Sequence, residues 1–136
     1  MAVPVPINYL AVVVAAIASY VLAFLWYGVV FKNRWMQLTG ITEMKPTAKN
    51  IILALVGAWF MSWVLDHAAI FGNAYLHTGG VSGGLMCGFF NWLGFIMPLT
   101  MTSVLYEKRK WSLWVLDNGF WLLSLLVMGA ILSAWT

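Results

Sequence analysis

Four ionisable side chains of this chain lie outside its clusters of basic residues: Asp66, His67, His77 and Asp117. Each lies in or beside an apolar segment, where ionisable groups are costly and often mark a functional site. Carboxylates and imidazoles move protons and bind divalent metals. These four side chains are therefore the candidates for a proton-transfer or metal site.

A metal site would have to combine Asp66, His67 and His77, which lie near one another in the sequence. Proteins bind divalent metals through three or four ligands at fixed geometry, and no known spacing motif joins these three. His67 follows Asp66 directly, so the two side chains point about 100° apart around a helix. We therefore assign no metal. We favour a structural role for Asp66, in which its side chain bonds a neighbouring helix or caps the loop that follows the second apolar segment.

A second hypothesis joins Asp117, Asn118, Asn91 and Asp66 into a polar track. Asp117 and Asn118 lie near the start of the last apolar segment, and Asn91 lies well inside the third. Asp66 lies about 24 Å into an apolar core about 30 Å thick, at 1.5 Å per helical residue. In the simpler interpretation, Asp117 anchors the start of the last helix by pairing with the adjacent basic turn, Lys108 to Lys110.

The composition shows which kind of element carries these residues. Hydrophobic residues make up 63% of the 136 residues and charged residues 8%, whereas soluble domains are about one quarter charged. The chain is therefore an integral membrane protein in contact with membrane lipids. Its basic residues lie in short loops, which excludes nucleic acid as a partner. No catalytic, nucleotide-binding or cofactor motif is present, so we expect neither an enzyme nor a cofactor.

Four apolar runs are long enough to cross a bilayer at about 20 residues each. We predict an all-α, four-helix transmembrane bundle that forms a single domain over residues 1–136. The predicted spans are residues 7–31, 51–71, 82–105 and 112–135. Gly72 and Asn73 are predicted to end span 2. The segment from Phe31 to Leu38 is predicted to form a short interfacial helix that ends at Gly40, and Thr47 or Asn50 is predicted to cap span 2.

All lysines and arginines lie in the connection between spans 1 and 2 or in the one between spans 3 and 4. They are Lys32, Arg34, Lys45, Lys49, Lys108, Arg109 and Lys110. The positive-inside rule predicts that both connections are cytoplasmic and that both termini lie on the non-cytoplasmic side.

Small residues recur every four positions on two of the spans. The seam on span 3 consists of Gly80, Gly84 and Gly88. The seam on span 1 consists of Ala11, Ala15, Ser19 and Ala23. Such seams let membrane helices approach closely, and we predict that these two meet. Pro98 removes a backbone hydrogen bond to Gly94, so we predict a kink in span 3.

Several segments resemble a small bacterial membrane family, the domain of unknown function 1761. They are the segments from Asn8 to Gly28, Trp35 to Gly40, Trp92 to Pro98 and Leu116 to Leu132. The resemblance covers nearly the whole chain. It implies a four-helix integral membrane protein and no known activity. We expect the protein to be a multi-pass protein of the bacterial cytoplasmic (inner) membrane. It also implies a shared pattern of Asn8, Trp26, Tyr27, Gly28, Trp35, Trp92, Pro98, Asp117 and Trp121.

Four short helices can bury little polar surface, while the seams and aromatic residues offer contacts to other helices. We therefore expect a non-enzymatic protein that is an accessory or structural subunit of a larger membrane complex, or a homo-oligomer. The alternative is a transporter or channel for a small solute or an ion, formed by oligomerisation. A membrane enzyme ranks third because the polar groups do not converge at one depth.

Overall fold

The computed structural model describes residues 5–43 and 45–135. These residues form helices and no strand, which confirms the all-α prediction. In chain order the elements are α1 (Tyr9–Leu25), a π-helical turn (Trp26–Val30), α2 (Lys32–Thr39), α3 (Ala48–Leu76), α4 (Gly80–Asn91), a second π-helical turn (Trp92–Ile96), α5 (Met97–Glu107) and α6 (Trp111–Ala134).

Four stretches of helix are long and apolar enough to cross a membrane, as predicted. They are Tyr9–Val30, Ala48–Leu76, Gly80–Glu107 and Trp111–Ala134, and they are spans 1 to 4 below. The side-chain amide of Asn8 donates a 3.2 Å hydrogen bond to the carbonyl of Trp135. The first and last helices therefore meet at one end of the bundle, opposite the two basic connections. The side of the membrane that each end faces stays a prediction.

Span 2 is longer than predicted, because α3 continues through Gly72 and Asn73 to Leu76. The helix ends where His77 takes a left-handed conformation with φ of 55°, and the N–H of Thr78 bonds the carbonyl of Asn73 at 3.0 Å. The Asn73 side chain instead donates to Ser133 Oγ of α6 at 2.9 Å. Asn73 thus links two helices and does not form the predicted turn.

The glycine seam of span 3 packs against span 4, so the prediction that it meets span 1 is wrong. A Cβ atom on Gly84 would collide with the backbone carbonyl of Gly129, and one on Gly88 with that of Leu125. Gly80 is exposed and has no neighbouring side chain or backbone within 4 Å of a Cβ position. A spacing of four defines a helix face but not its partner, and span 4 supplies the matching small residue.

Span 1 buries Ala11, Ala15 and Ser19 against α3 and α6, while Ala23 is half-buried. Ser19 and Ser124 of α6 share a hydrogen bond of 2.7 Å, buried at the centre of the bundle. The apolar core around this face consists of Ala11, Val12, Ala15, Leu65, Leu125, Met128 and Leu132. The small-residue face of span 1 therefore packs against spans 2 and 4.

Two further local predictions are confirmed, at the end of α2 and at the start of α3. The short helix after span 1 is present as α2, and Gly40 ends it with φ of 78°. Thr47 caps α3 by accepting a hydrogen bond from the N–H of Asn50 at 3.2 Å. In span 3 the regular helix is interrupted at Trp92–Ile96, which ends two residues before Pro98. This π-helical turn contains Gly94, whose carbonyl loses the bond that Pro98 cannot donate.

Candidate binding cavity at the basic end of the bundle

A cavity of about 720 Å³ opens between α2 and the start of α6, at the end of the bundle that carries the basic residues. Lys108, Arg109 and Lys110 lie along it, together with three aromatic side chains, Tyr27, Trp35 and Trp121. One carboxylate, that of Asp117, completes the charged lining. We call this space the basic-end cavity. Its walls combine cations with aromatic and aliphatic surface.

Asp117 is held by span 1 and not by the basic turn. The hydroxyl of Tyr27 donates a 2.7 Å hydrogen bond to Asp117 Oδ1. The ion pairs within 4 Å among the described residues join Lys45 to Glu43 and Arg109 to Glu107, so neither includes Asp117. The expected pairing of Asp117 with the adjacent cations is therefore not formed. Its partner is the tyrosine, which leaves Oδ2 without a hydrogen bond among the described residues.

The π-helical turn at the end of span 1 positions Tyr27. Such a turn places an extra residue in one helical repeat, and it is frequent at functional sites. The ring of Tyr27 packs against Phe120 at 5.3 Å between centroids and against Trp35 of α2 at 5.7 Å. Gly119, two residues after Asp117, lies under the indole of Trp26, since a Cβ there would lie 3.1 Å from Trp26 Cζ2. Span 1 therefore approaches span 4 closely at Gly119.

Asn118 faces the other side of α6, toward α5. Its amide nitrogen donates to Thr100 Oγ1 at 2.9 Å and to the carbonyl of Trp114 at 3.0 Å. The indole N–H of Trp114 donates to the same Thr100 hydroxyl at 3.1 Å. Asn118 is 3% exposed, so this network is closed and joins spans 3 and 4.

Asp66 lies near the opposite end and is buried, with 3% of its surface exposed. Ser62, one turn earlier, donates to the carbonyl of Val12 at 2.9 Å, and the backbone N–H of Asn8 faces the Asp66 carboxylate. His67 Nδ1 lies 2.8 Å from the carbonyl of Trp63 on its own helix. Within residues 5–43 and 45–135, no group of three or more His, Cys, Asp or Glu side chains could hold a metal ion.

Asn91 lies outside the bundle core, in an apolar groove of about 420 Å³ between spans 2 and 3. Its Nδ2 donates to the carbonyl of Cys87 at 2.8 Å and approaches Cys87 Sγ at 3.4 Å. Its Oδ1 accepts no hydrogen bond from the described residues. The groove walls include Phe60, Val64 and Phe95, whose side chains are 54%, 58% and 71% exposed.

The structure does not bring Asp117, Asn118, Asn91 and Asp66 together. Polar contacts of span 1 occur instead at Tyr27, Ser19 and the carbonyl of Val12. At 1.5 Å per residue, the steps between these contacts are about 12 Å and about 10 Å. Such steps are too long for direct proton or ion transfer, so the polar groups form separate links across the bundle.

Three polar partners were not predicted from the sequence: Tyr27, Thr100 and Ser124. A comparison of residue depths in neighbouring spans would have identified Thr100 and Tyr27. Thr100 and Asn118 are equally far in sequence from the basic turn, on the two helices that flank it, and Tyr27 lies at the basic end of span 1. Polar residues at equal depth on neighbouring spans can meet, whereas helical periodicity compares positions on one helix only.

Comparison with known sequences matches the model of one family over residues 10–133, that of a protein of unknown function, DUF1761. The chain belongs to the DUF1761 family. This confirms the resemblance inferred from the sequence. No match was found among curated proteins or among solved structures.

The DUF1761 pattern inferred from the sequence is spread over both ends of the bundle. Four of its residues line the basic-end cavity: Tyr27, Trp35, Asp117 and Trp121. Asn8 caps α1 at the other end, and its Oδ1 accepts the N–H of Ala11 at 3.2 Å. The basic-end cavity therefore collects the largest share of that pattern in one place.

Proposed function

We propose that this protein is a non-enzymatic membrane component that works as a homo-oligomer, with the groove around Asn91 as its contact surface. The observation that carries this proposal is the amide oxygen of Asn91, which accepts no hydrogen bond from the described residues. Asn91 lies eleven residues into span 3, about 16 Å from its start and near the middle of a core about 30 Å thick. An amide oxygen exposed to hydrocarbon at that depth is costly, and a second helix removes this cost.

The shape of this face supports a protein partner. Phe60 and Phe95 project beside the groove and are more than half exposed. The same face therefore carries both projecting rings and a depression. An isologous interface requires that combination, because each copy must supply both complementary parts.

The chemistry of asparagine favours a second copy. Its side chain carries two N–H donors and an acceptor oxygen, so two asparagines can pair with each other. The Asn91 nitrogen donates to the carbonyl of Cys87 and otherwise approaches only the Cys87 sulfur, which is a weak acceptor. Across a two-fold axis, an N–H of each Asn91 would donate to the free oxygen of the other.

The arrangement of the remaining polar groups supports a role without catalysis. Asn118, Asn73 and Ser124 are each bonded to a neighbouring helix or helix end. These bonds hold the bundle together and lie at different depths. A catalytic centre requires an acid or base and a substrate-binding group at one place.

Native mass spectrometry of the protein, extracted gently from its own membrane, tests this proposal. We expect a homo-oligomer for the wild type and a weaker one for Asn91→Leu, by about threefold to tenfold in dissociation constant. Thr102→Val is the matched control. It removes another exposed polar side chain of span 3, whose hydroxyl bonds only the carbonyl of Leu99 on its own helix.

A wild-type protein that is monomeric at every concentration would contradict the proposal. Co-purification of a different protein in fixed stoichiometry would also contradict it. That result would support the other predicted role, an accessory subunit of a larger complex. Equal weakening by Asn91→Leu and Thr102→Val would remove the groove as the contact surface.

The second candidate is a transporter or channel for a small solute or an ion. The links Tyr27–Asp117 and Ser19–Ser124, together with the buried Asp66, favour it because they follow one another along the bundle. Water would have to bridge the steps between them. Proton and small-ion flux no greater than that of empty vesicles would exclude this candidate. Flux that is unchanged by Asp117→Asn and Asp66→Asn would exclude these two residues from its path.

We also propose that the protein lies in the bacterial cytoplasmic membrane, with its basic end in the cytoplasm. The location of all lysines and arginines in the two basic connections supports this orientation. Labelling of single cysteines in intact cells tests it, in a Cys87→Ser background. We expect a cysteine at Ala134 to react with an impermeant reagent and one at Lys110 to be protected.

A further inference from the structure

We propose that the basic-end cavity binds the headgroup of an anionic phospholipid whose phosphodiester carries free hydroxyls, as in phosphatidylglycerol. In this site the phosphate lies among Lys108, Arg109 and Lys110. The headgroup hydroxyls reach Asp117, and the start of the acyl chains lies along Trp35 and Trp121.

The cations around the cavity are available for an anion. Lys108 and Lys110 form no ion pair within 4 Å among the described residues. Arg109 Nε lies 3.7 Å from Glu107 Oε2, beyond hydrogen-bond distance, and the Arg109 side chain is 56% exposed. Three neighbouring cations facing one cavity with one carboxylate in its lining attract a phosphate group.

The backbone at the basic turn supports the same assignment. Lys108 ends α5 in the left-handed conformation, with φ of 57°. Glycine is the usual residue at that position, because a side chain there is strained. This turn places the charge of Lys108 beside those of Arg109 and Lys110 in the cavity lining.

The walls of the cavity fit an amphiphile better than a free anion. Trp35 and Trp121 face it together with aliphatic side chains of Leu38, Ile41 and Leu113. Indole rings concentrate at the level of lipid headgroups, and basic residues beside a span attract anionic lipids. A free phosphate ion would use the cations and leave this apolar surface exposed to water.

Asp117 makes the site selective among lipid headgroups. Its Oδ1 accepts the Tyr27 hydroxyl, and its Oδ2 has no donor among the described residues. A lipid hydroxyl can supply that donor. Phosphatidylcholine has no hydrogen-bond donor, so the cavity should prefer phosphatidylglycerol to it.

The test is a titration of the full-length protein, purified in neutral detergent, with short-chain phosphatidylglycerol, followed by native mass spectrometry and tryptophan fluorescence. The first variant combines Lys108→Gln, Arg109→Gln and Lys110→Gln. The matched control combines Lys32→Gln, Lys45→Gln and Lys49→Gln, which removes equal charge from the other basic connection. We expect about tenfold or greater loss of affinity in the first variant and less than about twofold in the control.

A second variant and a second ligand separate the parts of the proposal. We expect Asp117→Asn to keep affinity for phosphatidylglycerol within about threefold but to reduce its preference over phosphatidylcholine. Displacement of the lipid by millimolar inorganic phosphate would assign the site to a free phosphate anion and overturn the lipid assignment. Equal loss in the two triple variants would show attraction by net charge alone and would also overturn it.

Discussion

Asn118 and Asn91 are both asparagines within apolar spans, yet their surroundings differ completely. Asn118 is buried between α5 and α6, and its amide nitrogen bonds Thr100 and Trp114. Asn91 faces a groove, and its oxygen has no donor among the described residues. Both lie at depths where hydrocarbon supplies no hydrogen bond. The first amide therefore stabilises this bundle, and the second is available to another molecule.

The glycines repeat this contrast without polar groups. Gly84 lies against the backbone of Gly129, whereas Gly57 of α3 is exposed and has open space where a Cβ would stand. Spans 3 and 4 therefore pack backbone against backbone, whereas the outer face of α3 has room for an added side chain.

The largest expected effect is that of Gly84→Ala, because the new methyl group would meet backbone atoms of α6 that cannot rotate away. We expect the free energy of unfolding to fall by about 3 kcal/mol. Gly57→Ala is the control, and it should leave stability unchanged or raise it by up to about 1 kcal/mol. Reversible unfolding in mixed micelles measures both, and similar losses in the two variants would contradict the packing described for span 3.

Asn118→Leu should lower the free energy of unfolding by about 2 kcal/mol, since a buried network loses its central amide. The same change should leave the oligomeric state unaltered. Asn91→Leu should show the reverse, with normal unfolding and a weaker oligomer. If both variants changed the same property, the distinction between the two asparagines would be wrong.

Tyr27→Phe should cost about 1 kcal/mol, because Asp117 loses the hydroxyl that it accepts at 2.7 Å. Tyr20→Phe serves as the control, since the hydroxyl of Tyr20 has no protein partner among the described residues. Unfolding in mixed micelles again gives the comparison. A Tyr27→Phe variant as stable as the wild type would show that the link between spans 1 and 4 contributes nothing.

The smallest expected effect is the coupling between Ser19 and Ser124, whose hydroxyls lie 2.7 Å apart. A double-mutant cycle with alanine at each position should give an interaction of about 0.6 kcal/mol, typical of hydrogen bonds between membrane helices. Strict additivity would mean that the two serines act as small packing residues only, as the sequence pattern suggested for Ser19.

The sequence predicted the four spans because length and hydropathy decide which helices can cross a bilayer. It also located α2 and the Thr47 cap, where glycine and threonine act on their own neighbours in the chain. The predicted end of span 2 is wrong. Asparagine is common in turns, but the side chain of Asn73 instead bonds Ser133 on α6. A contact between segments far apart in sequence leaves no such local signal.

The candidate sites show the same limit. Asp117 and Asn118 were identified as polar residues in a membrane span, but their partners Tyr27 and Thr100 belong to other helices. Asn91 was expected in a track with Asp66, yet it faces the groove just before the π-helical turn of span 3. Helical periodicity gives the direction of a side chain on one helix, and it does not show which neighbour occupies that direction.

The most direct test of the outward role of Asn91 is oxidative cross-linking in native membranes. A Phe95→Cys variant in a Cys87→Ser background carries a single thiol beside the groove. The control is Phe24→Cys in the same background. Phe24 is 62% exposed on span 1, and both Phe24 and Phe95 lie fifteen residues after the first residue of their spans, at the end opposite the basic connections. Our account predicts a covalent dimer for Phe95→Cys and little for Phe24→Cys. Equal cross-linking of both, or none at Phe95→Cys, would contradict it.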